Sequence, residues 1–167
     1  FILICLFSIF THAVSYSIPK ETYLTYQEFK VEQEEKNQKS LINAPEHWIE
    51  LSVSPPLLKK YTVDDQTTLS ISTFEGSIGD DLSNVNRWRS QLNLASIGYD
   101  QLSNHLSVHQ ISDYTFKVVR IDDSNQSFLI YWYNMNDHHI FIKIVSSVKI
   151  IKESFDLFIE NQQWDQI

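Results

Sequence analysis

Apolar and polar residues alternate in several short runs of this sequence, and a period of two is typical of β-strands with one buried face. In the clearest run, Leu69 and Ile71 lie on one side of the expected strand and Ser70 on the other. The last two runs are joined by a short polar segment that ends in His138 and His139, a pattern that predicts a hairpin turn. We therefore expect five or six antiparallel strands. The runs are residues 48–53, 59–63, 67–74, 112–121, 127–134 and 140–147.

Two further segments repeat apolar residues every three or four positions, the period of a helix with one buried face. The first helix is expected over residues 81–93, where Asp80 supplies a side chain that can cap the helix N-terminus. The second is expected over residues 149–161. Both helices should pack on the sheet, which predicts a single α+β domain over residues 44–165.

The chain opens on ten apolar or small residues, a run too short for a membrane-spanning helix of about 20 residues. This run is typical of a signal-peptide core, so we expect residues 1–17 to be a signal peptide whose start, before Phe1, is missing. Residues 18–43 are rich in Glu, Lys and Gln, which predicts a polar tether. This organisation predicts export to the bacterial envelope, specifically the periplasm, with no membrane span in the mature protein.

Charge and cysteine content exclude several classes of function. Residues 44–167 carry nine basic and sixteen acidic side chains, which gives the expected domain a net charge of −7. An acidic domain repels polyphosphate, so nucleic acid is not an expected partner. Cys5 is the only cysteine and lies within the expected signal peptide. The mature protein should therefore lack disulfides, thiolate metal sites and cysteine nucleophiles.

The first helix carries the candidate recognition surface. Asn84, Arg87 and Gln91 are spaced three and four residues apart, so they should share one polar helix face. The loop that contains Gly76 and Gly79 directly precedes the helix and should lie beside this face. We expect these five residues to form a surface that binds a ligand or a partner.

Two other residues of this helix are assigned structural roles. Trp88 and Arg89 fall along the same stripe as Val85 and Leu92, so both should be largely buried. A buried guanidinium needs a carboxylate or several carbonyl oxygens as partners. Arg89 is therefore expected to be paired.

Neither a catalytic signature nor a metal-ligand pattern is evident. His105 and His109 are four residues apart, but their neighbours form no helical stripe that would bring both imidazoles to one side. We predict no metal site and no cofactor. The sequence favours a non-catalytic binding or assembly module for a protein or another envelope component. The alternative is a small-molecule sensor or enzyme with a pocket between sheet and helix, using Lys143, Arg89 and Tyr131.

Residues 74–94, which contain Asn-Val-Asn-Arg-Trp-Arg at 84–89 after a glycine loop, resemble a family of uncharacterised exported bacterial proteins. The run Ile140–Ile144 is similar to a second marker of that family, an aromatic-Lys strand. The order of elements resembles the PsbP and Mog1 type of domain, which implies an antiparallel sheet sandwiched by helices. That fold includes photosystem subunits and nuclear-transport factors, so the resemblance leaves function open.

Overall fold

The computed structural model describes residues 42–135 and 138–167, so the expected signal peptide and nearly all of the expected tether lie outside the described residues. Seven strands form one antiparallel sheet in the order β1-β2-β3-β7-β6-β5-β4. The strands are β1 Ile49–Leu51, β2 Leu57–Asp64, β3 Thr67–Glu75, β4 Leu106–Ile111, β5 Tyr114–Asp122, β6 Ser127–Met135 and β7 His138–Ser146. The helices are α1 Asp81–Gln91, α2 Tyr99–Leu102 and α3 Lys152–Glu160, followed by a 3-10 turn at Trp164–Gln166.

The predicted α+β class and antiparallel sheet are confirmed, but the expected count of five or six strands is wrong. The additional strand is β4, which forms one edge of the sheet and pairs only with β5. Its residues do not alternate cleanly between buried and exposed positions, since Val108 is 64% exposed. Because so few of its side chains are buried, this edge strand needs no regular alternation of apolar and polar residues, and the sequence therefore does not indicate it.

The hairpin between the last two strands is tighter than predicted. Strand β6 continues to Met135 and β7 already begins at His138, so His138 and His139 lie in a strand and not in a turn. The register pairs Met135 with His138 and Asn134 with His139. Longer strands allow more cross-strand hydrogen bonds at the centre of the sheet.

One face of the sheet is covered by α3 and the C-terminal turn. Phe155, Phe158 and Ile159 from α3 pack with Trp164 on the apolar side chains of the central strands. The segment that enters the domain joins this layer, because Ile42 is buried and the Asn43 backbone exchanges two hydrogen bonds with the Gln162 amide, at 2.8 and 3.2 Å. The central strands contribute Leu69, Ile71, Phe116, Val118, Leu129, Tyr131, Ile140, Ile142 and Ile144.

Helix α1 packs on the opposite face of the sheet. The apolar residues of its buried stripe are Val85, Trp88 and, just after the last helical residue, Leu92, and they contact residues of β5, β6 and β7. Asp80 caps the helix, since its side chain accepts a hydrogen bond from the Ser83 amide at 2.7 Å. The helix ends at Gln91, two residues before the predicted end, and α3 begins at Lys152 and not at residue 149.

Helix α1 covers only half of this second face. The buried residues beneath it come from α1, β5, β6 and β7, and Phe74 at the end of β3 packs at the margin of that cluster. The rest of β1, β2 and β3 therefore presents a polar sheet face without a helix from the described residues on it. We call this surface the open face; it consists of Ile49, Leu51, Lys60, Thr62, Thr68, Ser70 and Ser72.

Candidate functional site

The structure divides the recognition residues that were expected on α1. Arg87 and Gln91 are exposed and lie one turn apart on the same side of the helix. Asn84 is only 2% exposed, and its amide nitrogen donates to the Asp80 carbonyl at 3.0 Å. It lies one turn before Trp88 and therefore belongs to the buried stripe. The expectation of a three-residue polar face is therefore wrong. The polar face of α1 contains Arg87 and Gln91 but not Asn84.

The glycine loop before α1 is shaped by its backbone. Gly76 and Gly79 adopt φ angles of 73° and 80°, in the left-handed region that favours glycine. Asp80 follows at the helix mouth, where hydrogen bonds from Ser83 and the Tyr99 hydroxyl lower its pKa to about 2. A carboxylate that stays ionised at this position repels anions. The loop therefore positions α1 and does not form a phosphate cradle.

Lys143 meets Arg87 and Gln91 at the edge of α1. It projects from β7, places its Nζ atom 3.8 Å from the centroid of the Phe128 ring, and donates a hydrogen bond to Gln91 Oε1. Burial, and to a smaller extent the nearby positive charge of Arg87, lower the pKa of Lys143 to about 8. Two cations are thus held close together without a carboxylate between them.

A second lysine lies in the same row of the sheet. Lys60 on β2 is directly opposite Ser70 on β3, and Ser70 is directly opposite Lys143 on β7. Because adjacent strands are about 4.8 Å apart, the backbones of Lys60 and Lys143 are separated by roughly 10 Å on one face. Lys60, Lys143 and the neighbouring Arg87 together form what we call the cationic surface.

The cationic surface differs from most other basic groups of the domain in its lack of counterions. Among the described residues, four cations form ion pairs with carboxylates at 2.6–2.8 Å, whereas Lys60, Arg87 and Lys143 form none. The open face beside them contains no acidic residue. The paired cations are Lys59 with Glu50, Lys117 with Asp81, Arg120 with Asp122 and Lys152 with Asp156.

The two residues of α1 with expected structural roles differ in burial. Trp88 is 4% exposed, and its ring centroid lies 5.2 Å from that of Trp132 and 5.9 Å from that of Phe141. Arg89 is half-buried and not largely buried as expected. Its Nε donates to the Ala95 carbonyl oxygen at 2.8 Å, so its partner is a backbone carbonyl in the following loop.

The alternative pocket that would combine Lys143, Arg89 and Tyr131 is not formed. In the register of β6 and β7, Lys143 pairs with Ile130 while Tyr131 pairs with Ile142, so Lys143 and Tyr131 point to opposite faces of the sheet. Tyr131 lies beneath α3 and donates to Asp156 at 2.7 Å. Burial and this hydrogen bond raise the Tyr131 pKa far above its ordinary value, so the phenol stays neutral.

A groove along the start of α3 was not anticipated from the sequence. Two cavities of about 340 and 630 Å³ both border Arg120 and Lys152. Arg120 donates to Asp122 at 2.8 Å and to the Ile150 carbonyl at 2.9 Å, while its Nη2 atom is buried without an acceptor. We call this the α3 groove. Strand β4 forms one wall of the first cavity, and because the sequence pattern does not indicate β4, it does not indicate the groove either.

Two features are absent from the described part of the chain. No three His, Cys, Asp or Glu side chains there are grouped closely enough to hold a metal ion. Within the same ranges, no helix combines the length and the apolar composition that a bilayer crossing requires.

The fold defines an α+β protein built on one antiparallel sheet. It is similar to a crystal structure from Bacteroides thetaiotaomicron at 10% identity and a TM-score of 0.47, which covers 75% of this chain and 45% of that one. It is also similar to the solution structure of cyanobacterial PsbP (CyanoP) from Synechocystis, at 13% identity and a TM-score of 0.45, over 70% of this chain and 79% of that one. This chain thus spans less than half of the Bacteroides protein. No protein-family model and no curated protein sequence matches.

Proposed function

We propose that this protein is a non-catalytic binding or assembly module of the bacterial envelope, and that it recognises a protein partner through the cationic surface and the open face. The observation that carries this proposal is the presence of three cations without ion pairs beside a sheet face that no described helix covers. Uncompensated charge at a surface favours association with a partner of opposite charge.

The chemistry of this surface favours binding over catalysis. Lys60, Arg87 and Lys143 are accompanied by the hydroxyl groups of the open face, and the surface contains no carboxylate that could act as a general acid or base with them. Ligand-converting sites are usually concave and exclude water, whereas this surface is one face of an open sheet. An uncovered polar surface of this kind suits contact with another macromolecule.

The envelope location rests on the amino-terminal sequence. An apolar run followed by a polar segment supports export, and the Asn-Val-Asn-Arg-Trp-Arg motif at 84–89 resembles that of exported bacterial proteins. Expression of the full-length gene followed by cell fractionation tests this part of the proposal. A periplasmic mature protein is expected, and a cytoplasmic protein that retains Phe1 would overturn it.

Site-specific crosslinking in cells tests the recognition surface. We expect a photoreactive amino acid at Thr62, in the open face, to capture a defined partner that mass spectrometry identifies. The same probe at Glu160, at the end of α3, serves as the control and should capture none. Arg87→Glu should abolish the Thr62 crosslink. Crosslinks that form only from Glu160, or that survive Arg87→Glu, would place recognition elsewhere.

A second candidate function is supported by the α3 groove. Two cavities that share Arg120 and Lys152 have the volume of small-molecule sites, and the buried Nη2 of Arg120 lacks an acceptor. We propose, as the alternative, a sensor for a small anion at this place. Citrate and inorganic phosphate are suitable probes: either should raise the melting temperature of the protein, and Arg120→Gln should remove the effect. Unchanged melting with both anions would exclude this alternative.

A further inference from the structure

We infer that the partner presents an extended acidic polypeptide segment whose carboxylates bind Lys60, Arg87 and Lys143. This inference rests on the proposed function and names the chemistry of the partner. It follows from three features of the surface: the missing counterions, the spacing of the cations, and the unused hydroxyl groups between them.

The missing counterions define the charge of the ligand. Arg87 and Lys143 are close enough for the Arg87 charge to disfavour protonation of Lys143, and Gln91 supplies only a neutral oxygen to the Lys143 ammonium. A carboxylate placed between the two cations would form charge-assisted hydrogen bonds with both. Because Lys143 is partly buried, such bonds are less weakened by solvent than those at a fully exposed site.

The spacing of the cations defines the form of the ligand. Lys60 and Lys143 are two strands apart in one row, which corresponds to roughly 10 Å between their backbones. An extended polypeptide in the polyproline II conformation advances about 3.1 Å per residue and brings every third side chain to the same side, so carboxylates on residues three positions apart match this separation. A segment that crosses the strands of the open face with acidic residues at i and i+3 can therefore contact both lysines.

The hydroxyl groups of the open face provide the remaining polar contacts. Ser70 lies between the two lysines and already donates to the Lys143 carbonyl at 3.3 Å, so it can accept from a bound backbone amide. The hydroxyls of Thr62, Thr68 and Ser72 form no hydrogen bond with other described residues. They remain available as donors and acceptors for the main chain of a bound segment.

The net charge of the domain separates a short acidic segment from larger anionic partners. At −7, the domain repels extended polyanions and anionic membranes over distances of a Debye length, about 8–10 Å. For a short segment placed directly on the cationic surface, attraction by the nearby cations outweighs repulsion by the net charge of the domain. At the β1 margin of the open face, Ile49 is 64% exposed and Leu51 is 37% exposed. These side chains favour a bound segment that carries an apolar residue next to its acidic residues.

Binding to this surface should take up protons. A carboxylate near Lys143 favours its charged form and raises its pKa, which in the free protein is about 8. The groups that face Lys143 are Arg87 and Gln91 from α1, Phe128 from β6 and Ser70 from β3. Because no carboxylate among them keeps Lys143 charged in the free protein, Lys143 loses its proton as the pH rises above about 8. The affinity for the acidic segment should therefore decrease in this range.

Fluorescence polarisation with synthetic peptides tests the inference on the full-length protein. The probe is a fluorescein-labelled Pro-rich peptide with two Glu residues three positions apart, because Pro-rich peptides adopt the polyproline II conformation. One reference peptide carries adjacent Glu residues and another carries Gln in their place. We expect the spaced Glu peptide to bind about tenfold more tightly than either reference, as expected for one well-placed charge-assisted contact.

Three variants locate the binding site. Arg87→Gln and Lys143→Gln should each weaken binding by about tenfold. Lys149→Gln is the matched control, because Lys149 is also a cation without an ion pair but lies beside the α3 groove. Equal weakening by Lys149→Gln would show non-specific attraction and overturn the inference. Melting curves identify any variant that is not folded. In that case, the pH dependence of peptide binding by the wild-type protein provides the independent readout.

Two outcomes distinguish the inference from the proposed function. If the Thr62 crosslink forms in cells but the spaced Glu peptide neither binds nor competes with it, the acidic segment is wrong and the recognition surface stands. If neither crosslinking nor peptide binding occurs, both are overturned. Binding to phosphatidylglycerol vesicles without binding to the peptide would replace the acidic segment with a lipid surface.

Discussion

Replacing Lys143 with Met removes a cation from a position where the folded protein disfavours charge. Burial, and then Arg87, lower the Lys143 pKa from 10.5 to about 8. A difference of this size corresponds to roughly 3 kcal/mol, which we halve to about 1.5 kcal/mol because the side chain keeps partial contact with solvent. Met can keep the contact with the Phe128 ring, but the cation–π interaction of about 0.5–1 kcal/mol is lost. Near pH 7 we therefore expect Lys143→Met to raise the free energy of unfolding by about 0.5–1 kcal/mol.

The pH dependence of this effect has a defined sign. Between the folded pKa of about 8 and the ordinary value of 10.5, the unfolded wild-type chain binds more protons at Lys143 than the folded protein does. The wild-type protein therefore gains stability from this residue as the pH rises through this window, and the Met variant does not. The advantage of Lys143→Met should be present below pH 8 and should disappear towards pH 10.5.

Urea unfolding monitored by tryptophan fluorescence measures both effects. Lys117→Met is the control with the same change of side chain, because Lys117 is paired with Asp81 at 2.7 Å and its loss should destabilise the protein by about 0.5–1 kcal/mol. A Lys143→Met variant that loses more than about 1 kcal/mol near pH 7 would identify Lys143 as a stabilising residue. An advantage that grows with pH would contradict the lowered pKa.

Four further substitutions test the packing, each by chemical denaturation. Trp88→Ala should lower the free energy of unfolding by about 3–5 kcal/mol, because its side chain fills the core beneath α1; a loss under about 1 kcal/mol would contradict that packing. Arg87→Ala should change the free energy of unfolding by no more than about 0.5 kcal/mol. Arg89→Ala should lower it by about 1 kcal/mol, because the hydrogen bond to the Ala95 carbonyl is lost. A larger loss for Arg87→Ala than for Arg89→Ala would contradict the observed orientation of the helix. Tyr131→Phe should lower stability by about 1–2 kcal/mol, since Asp156 loses a donor under α3, and an unchanged midpoint would show that water replaces it.

Helix α1 shows which burial assignments the local sequence pattern can predict. Val85, Trp88 and Leu92 form the predicted stripe because helical spacing alone fixes which residues share a face. Spacing places Asn84 within one turn of both Arg87 on the polar face and Trp88 on the buried stripe, and its polar side chain favours the polar face. Its short amide nevertheless bonds to the Asp80 backbone carbonyl at the start of the helix, so Asn84 can be buried without a distant partner. A polar residue type therefore does not report exposure when the helix itself supplies the hydrogen bond.

The composition of the cationic surface could not be predicted from local pattern. Lys60, Arg87 and Lys143 come from β2, α1 and β7, and they meet only because β3 pairs with both β2 and β7 in one particular register. The same dependence on register separated Lys143 from Tyr131, since a shift by one residue exchanges the two faces of a strand. Strand pairing across the sheet is a long-range property, and single-strand periodicity carries no information about it.

The strand order has a consequence for the kinetics of folding. Strands β1 to β3 pair in sequence order, as do β4 to β7, and the two meanders are joined only by the pairing of β3 with β7. That pairing brings Thr67 against Ser146, 79 residues away, where their hydroxyl groups are 3.0 Å apart. Closing so long a loop is entropically unfavourable, so each meander should form faster than the joint between them. Mutations in the β3–β7 ladder should therefore slow refolding more than mutations of equal equilibrium effect in either outer hairpin.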